Sequence, residues 1–231
     1  MCGRYRVTAE IELQAKAVRM RFQLAEARWN LAPTQMAPVV RISENGLDHS
    51  MMRWGLVPSW AKDQLGGSKL INARSETVAE KPSFRSAFKS RRCLIPAHGY
   101  YEWKAVSKGK QPFHFQRTGG KVMCFAGLWE QWHPHEPEGN ARPLETFTIL
   151  TTQANELAAL YHDRMPVILP EQKWGDWLNP QAKPDDLKTL LVPFAGEMEC
   201  WAVTPKMNNV RFESPECAEP VEVQANLFGD Q

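Results

Sequence analysis

Residues 37–54, APVVRISENGLDHSMMRW, decide the fold class. Two runs rich in apolar and β-branched residues flank Glu44-Asn45-Gly46, and Asn-Gly supplies the positive φ angles of a tight hairpin turn. The pattern returns further on, where PFHFQR (112–117) and KVMCFAGLW (121–129) flank Thr118-Gly119-Gly120, so a second hairpin is expected there. Other strand-like runs are RRCLIP (91–96), GYYEWK (99–104), ETFTILTT (145–152), PVIL (166–169) and ECWAVT (199–204). Short helices fit ANELAALYH (154–162), PEQKWGDWL (170–178) and PDDLKTLL (184–191). A longer helix is expected over residues 8–23: Thr8 can cap it, Glu10 and Glu12 sit in its first turn, and Ile11, Ala15, Val18 and Phe22 share a face. Strands do not alternate regularly with long crossover helices, which disfavours a doubly wound parallel sheet. The reading is α+β: a single compact β-rich domain of antiparallel strands with a few flanking helices over residues 1–222, followed by a loose tail at 223–231.

A chain of 231 residues with 43% apolar content is long enough to bury its own core. MCGRYRV lacks the apolar run of a secretory signal, and no stretch approaches the roughly 18 to 20 apolar residues of a membrane span. A cytoplasmic location without membrane attachment is therefore expected, with a monomer as the default state. Cys2, Cys93, Cys124, Cys200 and Cys217 are an odd set without a CxxC pair, so free thiols are expected rather than a disulfide framework or a zinc site. His133 and His135 sit in a loop rich in proline, and no metal or other cofactor is assigned.

The net charge of +2 hides an uneven distribution. Residues 1–100 carry 16 Lys and Arg against 8 Asp and Glu, whereas the remainder carries 12 against 18. The basic half can either form a phosphate-contacting patch or spread its charge over a solvated surface.

Cys2 is the first chemical candidate. A small residue at position 2 normally allows excision of the initiator methionine, which would leave a thiol beside a free α-amine. Such an amine has a reference pKa of about 7.7 to 8.0, so a useful fraction is neutral near physiological pH. It can condense with an aldehyde, and the neighbouring thiol can then close a five-membered thiazolidine. Gly3 permits close approach, and Arg4 and Arg6 place positive charge that favours a thiolate and anionic ligands. Asn72 and Arg74 of LINARSET lie two apart, hence on one face of an extended segment. Glu102 stands among Tyr100, Tyr101 and Trp103, surroundings that raise a carboxyl pKa towards the range useful for proton transfer. His162 follows an expected helix.

Six segments carry a resemblance: MCGRY at the start, WNLAPTQ (29–35), MRWGLVPSWAKD (52–63), LINARSETVAEKPSFRSAF (70–88), CLIPAHGYYEWK (93–104) and HDRMPVIL (162–169). Together they resemble the SRAP family of SOS-response-associated peptidase folds, the abasic-site-processing proteins, over nearly the whole chain and in matching order. The resemblance implies a β-rich domain that binds single-stranded DNA, or a junction of single and double strands, at an abasic site. It gives Cys2 the thiazolidine with the ring-opened deoxyribose, Asn72 a positioning role, Glu102 acid/base work on the α-amine, and His162 a part in ring opening and Schiff-base formation. It further implies phosphate contacts from Arg4, Arg74 and Arg85, an apolar wedge from Pro33 and Trp60, and backbone contacts from Asn208 and Asn209. His98 departs from the family pattern and is read as a surface residue, and the loop 133–143 is longer than the pattern requires. The same residues would serve an AP lyase or self-processing side activity, an N-terminal-nucleophile peptidase, or a non-covalent reader of modified or single-stranded DNA.

Overall fold

The computed structural model describes residues 2–107, 109–134 and 142–222. His135, most of the expected long loop, the 223–231 tail and Met1 lie outside them. In chain order the strands are β1 (Tyr5–Val7), β2 (Glu10–Gln14), β3 (Arg19–Gln23), β4 (Arg28–Leu31), β5 (Met36–Ser43), β6 (Gly46–Trp54), β7 (Asn72–Arg74), β8 (Arg92–Ala97), β9 (Gly99–Val106), β10 (Gly109–Arg117), β11 (Met123–Trp132), β12 (Leu144–Gln153), β13 (Arg164–Pro166), β14 (Ile168–Leu169) and β15 (Met198–Ala202). Four short helices flank them: α1 (Arg85–Ser90), α2 (Glu156–Ala159), α3 (Trp174–Leu178) and α4 (Pro184–Lys188). The expected α+β, β-rich class is the observed one.

Strands β12, β6, β5, β8 and β11 pair in a ring that closes because β11 also pairs with β12. Closure leaves these strands no free edge. A second, antiparallel sheet runs in the order β15-β10-β9-β1-β4. The two share an aromatic core: Tyr5 of β1 meets Trp54 at 5.2 Å and Phe125 at 5.9 Å, and Tyr100 of β9 stacks on Phe115 at 4.9 Å. Burying these five large rings edge-to-face and stacked is what fixes the smaller sheet against the barrel.

The hairpin read from residues 37–54 is present, with Ser43 opposite Gly46. Gly46 alone takes the positive φ in this turn, at 101°. The turn is therefore Glu44-Asn45, with glycine in the left-handed position that follows it.

Two expectations are corrected. Residues 8–23 form no helix; β2 and β3 pair as a hairpin, with Ala15 and Val18 exchanging both backbone hydrogen bonds across the turn. Glu10, Glu12 and Gln14 point out while Ile11 and Leu13 are buried, a period of two that the helical spacing of Ile11, Ala15, Val18 and Phe22 masked. The second expected hairpin is also absent. Gly119 and Gly120 do take positive φ, yet β10 pairs with β9 and β15, whereas β11 joins the barrel. The turn switches the chain between sheets, and local sequence does not distinguish that from a reversal.

Gly99, which opens β9, has no room for a side chain: a Cβ there would lie 2.0 Å from Nε2 of His114. That ring cannot move aside, because it is fully buried, accepts a 3.0 Å hydrogen bond from Arg6 Nε and packs between Tyr101 and Trp201. Burial, and secondarily Arg6, lowers its pKa to about 3, so it stays neutral and keeps the acceptor Arg6 needs. Gly99→Ala is expected to destabilise the domain by about 1 to 3 kcal/mol, read as a lower urea midpoint. An unchanged midpoint would show that the strand tolerates the methyl group.

Candidate functional site

The pairing of β1 with β9 determines where the chain begins. Tyr5 lies opposite Tyr100 in antiparallel register, and Tyr101 N–H donates to the Arg4 carbonyl at 3.0 Å. Residues before Tyr5 are thereby directed along Tyr101, Glu102 and Trp103. Cys2 is fully buried, and its carbonyl accepts a 2.8 Å hydrogen bond from Asn72 Nδ2. Its thiol donates weakly to the Arg4 carbonyl at 3.9 Å. Burial, reinforced by the charge of Glu102, pushes the thiol pKa well up. Burial and the Glu102 charge thus favour the thiol over the expected thiolate, and Arg4 and Arg6 are engaged with other partners.

Arg4 Nη1 donates to Asn30 Oδ1 at 2.7 Å and to the Met207 carbonyl at 3.0 Å, with its guanidinium 5.7 Å above the Trp103 ring. Arg6 holds His114 and Gln116. Asn30, itself fully buried, also donates Nδ2 to the carbonyls of Met207, Asn209 and Phe212. Glu213 completes the fastening: Oε2 accepts from the backbone N–H groups of Trp29 and Asn30, and Oε1 accepts from Arg28. The loop that carries Asn208 is thereby secured to β4, which explains the polar content of WNLAPTQ.

Glu102 lies on β9 opposite Phe113 and is 3% exposed. Burial, with Asp163 adding to it, raises its carboxyl pKa to about 7. His162 follows α2, whose N-terminus is capped by Asn155. Its Nδ1 accepts from Arg164 N–H at 2.9 Å and lies 2.8 Å from Asp163 Oδ1, a contact that becomes an ion pair only on protonation. Burial lowers the His162 pKa and so favours the neutral ring.

Strand β12 brings these segments together. Its end pairs with β7, which carries Asn72, and with β13, which follows His162. Arg164 fastens the two flanks: Nη1 and Nη2 donate to the two carboxylate oxygens of Glu76 at 2.5 and 3.0 Å, and Nη2 also donates to the Thr151 carbonyl at 2.6 Å. The HDRMP and NARSET segments are thus bonded to each other through a bidentate pair.

Glu102, Trp103, Lys110, His162 and Asn208 line a cleft of about 440 Å³. Trp103 Nε1 donates to Asn208 Oδ1 at 2.7 Å, which fixes the indole as part of the wall. Of the residues singled out by sequence, Glu102, His162 and Asn208 meet here, with Cys2 and Asn72 bonded to each other. Pro33, Trp60, Arg74 and Arg85 are not among the lining residues. Trp60 is 63% exposed, Arg74 is exposed on β7, and Arg85 is exposed at the start of α1. Asn209 directs its side-chain oxygen to Arg211 N–H, a turn-forming contact. His98 is half-buried: Thr8 N–H donates to its Nδ1 at 3.3 Å, and desolvation, with Arg6 adding to it, lowers its pKa to about 4. Lys110 and the Arg164–Glu76 pair went unnoticed in the sequence; no motif marks Lys110, whose place follows from the β9–β10 register.

All five cysteines are free thiols. Among the described residues, no group of three or more His, Cys, Asp or Glu side chains is gathered to hold a metal, and no helix is long and apolar enough to cross a membrane.

The sequence model of the SOS response associated peptidase (SRAP) family matches residues 1–210. The chain is 42% identical over 228 residues to the abasic site processing protein YoqW of Bacillus subtilis strain 168, covering 95% of this chain and 99% of that one. It is 33% identical over 195 residues to the abasic site processing protein HMCES of Gallus gallus, covering 74% and 57% of the two chains. In three dimensions it resembles the crystal structure of a Bacteroides thetaiotaomicron protein, with a TM-score of 0.75 at 26% identity, over 84% of this chain and 85% of that one.

Proposed function

The chain belongs to the SOS response associated peptidase family, and on that premise we propose that it processes abasic sites in DNA by covalent capture through Cys2. The observation that carries this reading is the convergence of four groups from distant segments. Asn72 bonds the Cys2 backbone, Glu102 acts electrostatically on the Cys2 thiol, and Glu102 and His162 share one cleft.

Removal of Met1 turns the Cys2 nitrogen from an amide into a primary amine. In its neutral form the amine attacks the aldehyde of the ring-opened sugar, and loss of water gives an imine. The thiol then adds across the C=N bond, sulfur to carbon and proton to nitrogen, to close the thiazolidine. A thiol held protonated by burial brings that proton with it. Glu102, with a pKa of about 7, can accept a proton from the amine and return one to the departing water. Asn72 holds the Cys2 backbone for the ring closure, and His162 serves proton transfer during sugar opening. An imine at C1′ also acidifies C2′ and permits β-elimination of the 3′ phosphate, so ring closure suppresses strand cleavage.

The proposed ligand is single-stranded DNA, or a junction of single and double strands, and the protein acts as a monomer in the cytoplasm at the nucleoid without a cofactor. Exposed Trp60 and half-buried Pro33 suit stacking against bases flanking the lesion, and exposed Arg74 and Arg85 suit phosphates, a division that selects missing structure rather than a base code. An abasic nucleotide lacks its stacking partner and enters a cleft at less cost than an intact one.

The test is to mix the protein with a single-stranded oligonucleotide bearing one abasic site. A species that survives boiling in detergent is expected, with the mass of the Met1-less chain plus the oligonucleotide less one water. Reversible binding alone would replace this reading with a non-covalent reader, and peptide turnover without an adduct would replace it with a peptidase.

A further inference from the structure

A phosphodiester approaching a cleft lined by a carboxyl gains from a cation on the same lining. Family resemblance directs attention to Arg4 and Arg74, but Arg4 Nη1 is committed to Asn30 and the Met207 carbonyl, and Arg74 is not among the lining residues. Arg164, close in sequence to His162, is held by Glu76 and the Thr151 carbonyl. The lining residue that brings a cation is Lys110.

Its position follows from backbone register. Lys110 lies one residue beyond Gly109, at the tip of the β9–β10 hairpin and opposite Ala105, with its side chain exposed. The same hairpin presents Trp103 opposite Pro112, and the Trp103 indole is fixed by Asn208 and covered on one face by Arg4. A flexible ammonium arm at the rim and an immobile aromatic wall beneath it match the two chemical parts of a nucleotide adjoining the lesion. An ammonium is a point charge that can follow a phosphate through small rearrangements, which suits a rim that must admit and then retain a strand.

Resting on the abasic-site reading above, we infer that Lys110 is a DNA-binding residue that holds a backbone phosphate next to the lesion at the mouth of the cleft. It contributes attraction and positioning and takes no part in bond making.

The probe is a fluorescent single-stranded 15-mer containing a tetrahydrofuran abasic analogue, which has no aldehyde and reports reversible binding only. Lys110→Ala is expected to weaken binding by about three- to ten-fold at low salt and to reduce the slope of log affinity against log salt by about 0.7. Lys110→Arg is expected to restore both, and Lys183→Ala, on a different cleft, to change neither. With aldehyde-bearing DNA at saturating concentration, the adduct-forming rate of Lys110→Ala should stay within two-fold of the parent. Unchanged affinity and slope in Lys110→Ala would overturn the inference, as would a lower saturating rate at unchanged affinity, which would make the lysine part of the chemistry. If the parent protein bound the analogue but formed no adduct with aldehyde DNA, covalent capture would fall and the binding measurements would still decide the role of Lys110. A parent protein that did not bind the analogue would overturn the role of Lys110, and adduct formation with aldehyde DNA would still decide covalent capture.

Discussion

Cys2→Ala is expected to abolish the boiling-resistant DNA adduct while leaving an imine that borohydride can trap. Alanine is small enough for Met1 still to be removed, so the α-amine survives and only the sulfur is lost. Without the thiol the imine hydrolyses, and the stable product should fall by at least about 100-fold. The variant should also cleave abasic DNA faster than the parent, since an imine that cannot close persists long enough for β-elimination. Burial of Cys2 predicts a modest stability loss, so the variant should fold and the comparison should be clean. Stable adduct at parental yield from Cys2→Ala would end the thiazolidine mechanism. Loss of the trappable imine as well would mean that the sulfur is needed before condensation, perturbing the order of steps proposed here.

The second large effect concerns Glu102. With its pKa raised by burial to about 7, this carboxyl changes charge where the N-terminal amine is also becoming nucleophilic. Glu102→Gln is expected to slow adduct formation by about 10²- to 10⁴-fold, the range for loss of a positioned acid/base group. The pH profile of the parent should rise through an inflection near 7 that disappears in the variant, leaving the amine's own at about 7.7 to 8.0. Stability should move in the opposite sense. The folded state binds a proton that the unfolded state releases near its ordinary carboxyl pKa, so stability falls as pH rises from about 4.5 to 7 and then levels. The variant lacks that slope and should gain on the parent above neutral pH by up to about 3 kcal/mol, the free-energy equivalent of the shift. Chemical denaturation at pH 5 and pH 8 measures this directly, and adduct formation within two-fold of the parent would remove Glu102 from the mechanism.

Much of this architecture was legible in local sequence, because strands with one buried face announce themselves by alternation and Gly46 marks its turn. The failures came where two periods coexist. In residues 10–23 the apolar positions satisfy a helical spacing, and only the strict alternation of Glu10 to Gln14 reveals the strand. The turn at Gly119-Gly120 is visible, but which sheet the next strand joins depends on β8 and β12, which lie outside the segment around the turn. The site shows the same division. Cys2, Asn72, Glu102 and His162 stand out as residue types in motifs, whereas their meeting depends on the β1–β9 register and the branching of β12. The protonation state of Cys2 is not legible in sequence, because proximity of Arg4 and Arg6 along the chain says nothing about burial or about the partners that the fold gives them. Lys110 has no sequence signature at all, since only the hairpin register brings it to the cleft.

The fastening of the Asn208 loop has a practical corollary for dissecting this protein. Similarity to the family model stops at residue 210, yet the carboxylate that grips the Trp29 and Asn30 amides belongs to residue 213, and Val221 still donates to the Ala202 carbonyl. A fragment trimmed to the alignment limit would sever this latch, exposing Asn30 and loosening the wall formed by Trp103. Truncations should therefore follow the hydrogen bonds and retain the chain at least through Val221.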